Sequence, residues 1–112
     1  MKKFLIISLG FFHILSFAKA PDCHNWPMNM TEMWMRSAGI VDFKNLNIPK
    51  TKITLLASEK KGKNLYTQVY HFVFYDKDGN TYEIITTNEA SDDECSMSSV
   101  NSYLISNSRI LY

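Results

Sequence analysis

The sequence has few glycines and only one long apolar run, and each shortage excludes a class of protein. Four glycines occur in 112 residues, and none of them belongs to a Gly-rich loop of the kind that cradles phosphate groups. The apolar run at residues 4–17 is about 14 residues long, whereas a membrane-spanning helix needs roughly 20. The net charge of +1 gives no basis for nucleic-acid binding.

The apolar run has the features of an export signal. Two lysines precede it, and Ala18-Lys19-Ala20 follows it with small residues at the two positions that signal peptidase requires. We predict a signal peptide at residues 1–20 and one small α+β domain at residues 21–112, with a retained N-terminal anchor as the alternative. Cleavage removes three lysines and no acid, which leaves 9 basic and 11 acidic residues and a net charge of −2. The predicted location is the periplasm, or the medium if the protein is secreted further, with no membrane span after cleavage.

Two cysteines, Cys23 and Cys95, lie in the predicted mature chain. An even count in an exported domain predicts one disulfide, which would close a loop of about 70 residues and stabilise the fold by roughly 4 kcal/mol. The alternative is a catalytic Cys95 with His71 or His24 as its base, although no Cys–His signature surrounds it. No three or four ligands occur at metal-binding spacing, so we predict neither a metal site nor a cofactor.

An amphipathic pattern follows Pro27, and proline is favoured in the first turn of a helix. The pattern predicts a helix at about residues 28–38 that ends at Gly39. We expect the apolar stripe to face the core, although its methionines would also suit a contact surface. The residues of this stripe, at spacings of three and four, are Met30, Met33, Trp34, Ala38 and Val41.

Alternating and β-branched residues downstream predict four strands, at residues 52–58, 65–75, 81–87 and 100–106. The turn Asp76-Lys77-Asp78-Gly79-Asn80 is typical of a β-hairpin, and short turns of this kind force antiparallel pairing. The predicted fold is therefore α+β, with one N-terminal helix packed on a four-stranded antiparallel β-meander in two layers and one disulfide.

Two surface patches and an aromatic strand face are the candidates for binding a partner. A rigid acidic loop at residues 89–94, with aromatic neighbours, suits a cationic protein. The alternative is that the charged turns only keep the protein soluble. The expected partner-binding residues are Glu89, Asp92, Asp93, Glu94, Tyr66, Tyr70, Phe72 and Tyr82. The basic patch, called here the lysine turn, consists of Lys60, Lys61 and Lys63.

Catalytic machinery is not apparent, and we predict that the chain is not an enzyme. His71 lies in the middle of a predicted strand, where a lone histidine is usually structural. No Gly-x-Ser-x-Gly motif is present. Asp92 and Asp93 are adjacent, so their side chains diverge rather than flank a scissile bond.

In size, export signal, single disulfide and order of one helix and four strands, the chain resembles the small periplasmic immunity proteins of the colicin M type. The resemblance is architectural, spans most of the mature chain and transfers no functional residue. It implies an exported binding protein that neutralises a toxin or cell-wall hydrolase by occluding its site, with a protein as its partner. The alternatives are a small-ligand or envelope-accessory module that uses the aromatic sheet face, and a small enzyme.

Overall fold

One helix precedes four strands in the computed structural model, which describes residues 20–108. The strands form a sheet in the order β1-β2-β3-β4, and every neighbouring pair is antiparallel. The predicted α+β fold is therefore confirmed, whereas almost all of the predicted signal peptide lies outside the described residues. The elements are α1 (Asn25–Ser37), β1 (Lys52–Gly62), β2 (Leu65–Tyr75), β3 (Thr81–Ala90) and β4 (Asn101–Ser108).

The boundaries of the elements differ from the predicted ones mainly at polar residues. The helix begins at Asn25, so that Pro27 is its third residue, a position whose N–H lacks a helical partner in any case. It is followed, as predicted, by Gly39, which adopts a φ of 71°. The strands β1 and β3 extend through polar residues to Gly62 and Ala90, because both ends pair with β2.

The helix covers one face of the sheet, and the apolar core lies between them. Alternate residues of β2 and β3 point towards the helix, including Phe72, Phe74 and Ile84, which are fully buried. Met35 of α1 is also fully buried in this cluster. This apolar half of the interface lies towards the turn that joins β2 to β3.

That turn, residues 76–80 and called here the Asp76 turn, is organised by one buried carboxylate. Asp76 Oδ1 accepts hydrogen bonds from the backbone N–H groups of Asp78 and Asn80, each at 2.9 Å. Its Oδ2 accepts from Asn80 Nδ2 at 2.8 Å and from the Tyr82 hydroxyl at 3.0 Å. Burial raises the pKa of Asp76, but these hydrogen bonds outweigh it and leave the pKa below its ordinary value.

The other half of the interface is polar. Gln68, Thr86 and Asn88 are buried on the helix-facing side of β2 and β3, further from the Asp76 turn than Phe72 and Ile84. Gln68 Nε2 donates to the Pro21 carbonyl at 2.8 Å, which holds the segment before the helix against the sheet. The interface thus has an apolar half beside the Asp76 turn and a polar half beside the acidic loop.

The predicted apolar stripe is confirmed only in part: Val41 lies in the buried core and Trp34 packs against it, whereas Met33 and Ala38 are exposed. The buried helix residues are Pro27, Thr31, Glu32 and Met35, whereas Met33 is 51% exposed. The Thr31 hydroxyl lies 2.9 Å from that of Ser102 in β4. Thr31 therefore meets the polar region of the sheet, whereas Glu32 Oε2 is buried without a hydrogen-bond partner among the described residues. Burial raises the pKa of the Glu32 carboxyl.

No described element covers the second face of the sheet. Half-buried residues of β2 and β3 line this face, among them Val69, His71, Val73 and Ile85. No helix within residues 20–108 combines the length and apolar character that crossing a bilayer requires.

Candidate functional site

The disulfide between Cys23 and Cys95 is present, with the two Cα atoms 5.3 Å apart. It joins the segment before α1 to the loop before β4, as the sequence predicted. No free thiol remains in the described chain, so a catalytic Cys95 is wrong. A structural disulfide is consistent with an oxidising, exported environment. Cys23 is buried, so the disulfide ties the loop that contains Cys95 directly to the interior.

The first two residues of the acidic loop, Glu89 and Ala90, belong to the end of β3, and the part that follows is closed by one serine. The Ser91 N–H donates to the Glu94 carbonyl at 2.8 Å. The Ser91 hydroxyl oxygen accepts from the N–H groups of Glu94 at 2.9 Å and of Asp93 at 3.3 Å. Since Ser91 is itself buried, the loop has a fixed inner side and presents its carboxylates outwards.

A second residue, Asn64, ties the acidic loop to the turn between β1 and β2. Its Oδ1 accepts from the Asp92 N–H at 3.0 Å, and its Nδ2 donates to Asp93 Oδ2 at 3.1 Å. Sequence reasoning missed this residue. Asn64 belongs to a predicted turn, but its distance of 28 residues from Asp92 carries no signal that the two loops meet.

The acidic side chains of the loop are engaged to different degrees. Glu94 Oε1 accepts from the Ser96 hydroxyl at 2.8 Å and from the Ser96 N–H at 3.2 Å. The hydroxyl bond, with the backbone bond second, lowers the pKa of Glu94. The Asp92 carboxylate makes no hydrogen bond within the described chain, and no described lysine or arginine forms an ion pair with the loop. Glu89 lies on β3 opposite Thr67 and is half-buried.

Three of the four aromatic candidates are buried rather than exposed. Tyr70, Phe72 and Tyr82 lie on the sheet face that the helix covers, and each is at most 4% exposed. The Tyr70 hydroxyl accepts from the Cys23 N–H at 3.1 Å. The prediction of an accessible aromatic face is therefore wrong for these three rings, because they belong to the buried core together with Met35, Val41 and Leu46. Tyr66 is half-buried and lies opposite Ala90, at the base of the acidic loop.

The lysine turn lies at the same end of the sheet as the acidic loop. Lys60 is opposite Tyr66 in the β1–β2 ladder, and Lys63 directly precedes Asn64. The two patches therefore form one surface with charges of both signs. Sequence reasoning treated them as separate features, because about 30 residues lie between them along the chain.

The two histidines in the described part of the chain lie at different places. His71 Nε2 is 3.1 Å from Glu83 Oε1 on the uncovered sheet face. His24 Nδ1 is 2.7 Å from Asp22 Oδ1, and the hydrogen bond from His24 lowers the pKa of Asp22. This second pair lines a depression of about 370 Å³ together with Ile53, Leu55 and Tyr70. The described residues contain no group of three or more His, Cys, Asp or Glu side chains placed to hold a metal ion.

Comparison with known proteins finds no relative. No family model, no curated protein and no solved structure matches the chain. Any functional conclusion therefore rests on the residues and their geometry.

Proposed function

We propose that the chain is an exported, periplasmic immunity or inhibitor protein that neutralises a toxin or cell-wall hydrolase by occluding its site. The observation that carries the proposal is the acidic loop. Asp92, Asp93 and Glu94 are exposed on a backbone held by the disulfide, by Ser91 and by Asn64. A loop that is ordered before binding loses little conformational entropy in the complex, so more of its interaction energy appears as affinity.

The charges of the loop favour a cationic partner site. No described lysine or arginine forms an ion pair with these carboxylates. Those of Asp93 and Glu94 accept hydrogen bonds within the loop region, whereas the Asp92 carboxylate has none in the described chain. Exposed charges of this kind accelerate association and select the partner. The adjacent lysine turn adds charge of the opposite sign, which would fix the orientation of the partner because a rotated complex would bring like charges together.

The test is capture and inhibition with matched charge variants. Protein recovered from the periplasm is used to isolate its partner, and inhibition of that partner is then measured. We expect Asp92→Lys combined with Asp93→Lys to weaken inhibition by roughly 100-fold or more, since rigid charge contacts contribute several kcal/mol. The control is Asp42→Lys combined with Asp78→Lys, which changes the net charge equally at exposed positions outside the acidic loop.

Three results would contradict the proposal. The first is a captured protein whose activity is unchanged by binding. The second is equal loss of inhibition in the loop and control variants, which would show a general charge effect. The third is full inhibition by the loop variant, which would place the contact elsewhere.

A small-ligand module is the second candidate, and the depression beside His24 favours it. Its volume of about 370 Å³ falls within the range of small-molecule sites, and it combines apolar walls with the Asp22–His24 pair. Binding of aromatic or aliphatic fragments, followed by shifts of the His24 ring signals in NMR spectra, would support this candidate. Shifts confined to other residues would remove it.

A further inference from the structure

Methionine is concentrated in one segment of the chain, the helix α1. Four of the six methionines lie within residues 28–35. Met35 is fully buried and Met28 packs against the core, whereas Met33 is 51% exposed and Met30 is half-buried. Packing in the core therefore accounts for two of these side chains, but it does not account for Met30 and Met33.

These two methionines line a groove of about 440 Å³ together with Trp34 and residues of β4. Residues three and four positions apart lie on the same face of a helix, so Met33 and Trp34 are the neighbours of Met30 on this face. Ser37, the last residue of α1, also lines the groove, and the C-terminal end of a helix favours a cation. Arg36, the basic residue of the last turn, does not line it.

We propose that Met30, Met33 and Trp34 form a binding site for the soft monovalent cation Cu(I). Thioether sulfur is a soft ligand that selects Cu(I) over hard cations, and the face of an indole ring attracts a cation within about 6 Å of its centre. The disulfide uses both cysteines, so methionine supplies the only soft sulfur ligands among the described residues. The site therefore differs in kind from one built of His, Cys, Asp and Glu, which the described part of the chain does not contain.

Calorimetric titration of the protein recovered from the periplasm with Ag(I), an ion of the same charge and softness, tests the site. We expect saturable binding of one ion per chain. Met30→Leu combined with Met33→Leu should weaken it by roughly tenfold or more, because leucine keeps the size of the side chain but supplies no sulfur. The control is Met97→Leu, which removes an exposed thioether, 46% accessible, outside the groove. Far-ultraviolet circular dichroism and disulfide content show that each variant is folded.

The fluorescence of Trp34 gives a second measurement. The chain has two tryptophans, so in a Trp26→Phe variant the emission comes from Trp34 alone. We expect Ag(I) to quench this emission in parallel with binding. Excess Mg(II) should not restore it, because a hard cation prefers oxygen ligands to thioethers.

Each of four outcomes would overturn the site. Ag(I) does not bind at micromolar concentration, binding survives when Met30 and Met33 are replaced, the Met97 control loses binding equally, or the Trp34 emission is unchanged at saturation. No residue of the acidic loop lines the groove, so the cation site and the proposed inhibitor function can fail independently of each other.

Discussion

The two halves of the helix–sheet interface are stabilised by different interactions. Towards the Asp76 turn, Phe72, Phe74 and Ile84 form an apolar core with Met35. Towards the acidic loop, the corresponding positions are polar and the disulfide joins the segment before the helix to the loop. The disulfide matters most in this half, because only some of its buried polar groups are hydrogen-bonded: Gln68 Nε2 donates to the Pro21 carbonyl, whereas Thr86 Oγ1 and Asn88 Oδ1 have no partner among the described residues.

The aspartates of the Asp76 turn and of the acidic loop serve different purposes. Asp76 is buried and accepts four hydrogen bonds, so its carboxylate is bound by groups of the same chain. Asp92 is exposed and only its backbone N–H is held, by Asn64. The acidic loop can therefore offer charge to a partner, whereas the Asp76 turn is a structural device.

Removing the disulfide should destabilise the polar half of the interface much more than the apolar half. We expect Cys23→Ser combined with Cys95→Ser to lower the free energy of unfolding by about 2–5 kcal/mol. Because the polar half lacks an apolar core, amide hydrogen exchange should accelerate at residues 91–99 far more than in the Asp76 turn. Chemical denaturation and exchange mass spectrometry measure the two effects. Equal acceleration of exchange in residues 91–99 and in the Asp76 turn would show that the disulfide stabilises the fold as a whole and has no particular effect on the loop.

Asp76→Asn should destabilise the apolar half by about 2 kcal/mol, since it places an amide donor among groups that donate to the carboxylate. The matched control is Asp78→Asn, an exposed residue whose Oδ2 accepts from Asn45 Nδ2 at 3.2 Å. We expect that control to change the free energy of unfolding by less than about 0.5 kcal/mol. Urea denaturation at neutral pH measures both variants, and equal effects would mean that the buried carboxylate has no special role.

The contribution of Asp76 should also depend on pH. The folded pKa of Asp76 lies below its ordinary value of 3.8, so the folded protein binds this proton less readily than the unfolded chain. The stabilisation is therefore present above that ordinary value and is lost as pH falls through the folded pKa. The stability difference between wild type and Asp76→Asn should shrink below about pH 4. A difference that is constant from pH 7 to pH 3 would contradict this assignment.

Asn64→Ala should have only a small effect on stability, with its structural consequence confined to the acidic loop. We expect the free energy of unfolding to fall by about 1 kcal/mol or less, because the lost bonds are exposed. Exchange of the Asp92 amide should nevertheless increase several-fold, since its acceptor is gone. The matched control, Asn45→Ala, removes a similar bond to Asp78 and should leave Asp92 unchanged. An unchanged Asp92 amide in both variants would show that the disulfide alone orders the loop.

Much of the fold was predictable because it depends on local patterns. The alternation of β2 separates Tyr70, Phe72 and Phe74 from Val69 and Val73, as expected, and the 76–80 segment forms the predicted hairpin turn. The disulfide followed from the count of two cysteines in a chain with export features. The side-chain period of a strand and the residue preferences of a turn depend on neighbouring residues, so they can be read from the sequence. Two cysteines can form only one intramolecular disulfide, so their pairing needs no further information.

The candidate site was only partly predictable. The acidic residues could be found by composition, but the burial of Tyr70 and Tyr82 and the role of Asn64 could not. An apolar strand face is equally compatible with a core and with an exposed contact surface, and only the position of the helix distinguishes the two. Whether the acidic loop binds a partner stays a prediction.

Periodicity, turn chemistry and cysteine count were thus enough for the element types, their antiparallel order and the covalent link. Packing decided the rotation of the helix, where Thr31 meets Ser102, and the meeting of the acidic loop with the turn that carries Asn64. The physical reason is that these contacts join residues that lie between 28 and 71 positions apart. No local propensity specifies such pairs, and they form only when the folded chain brings the two residues to the same place.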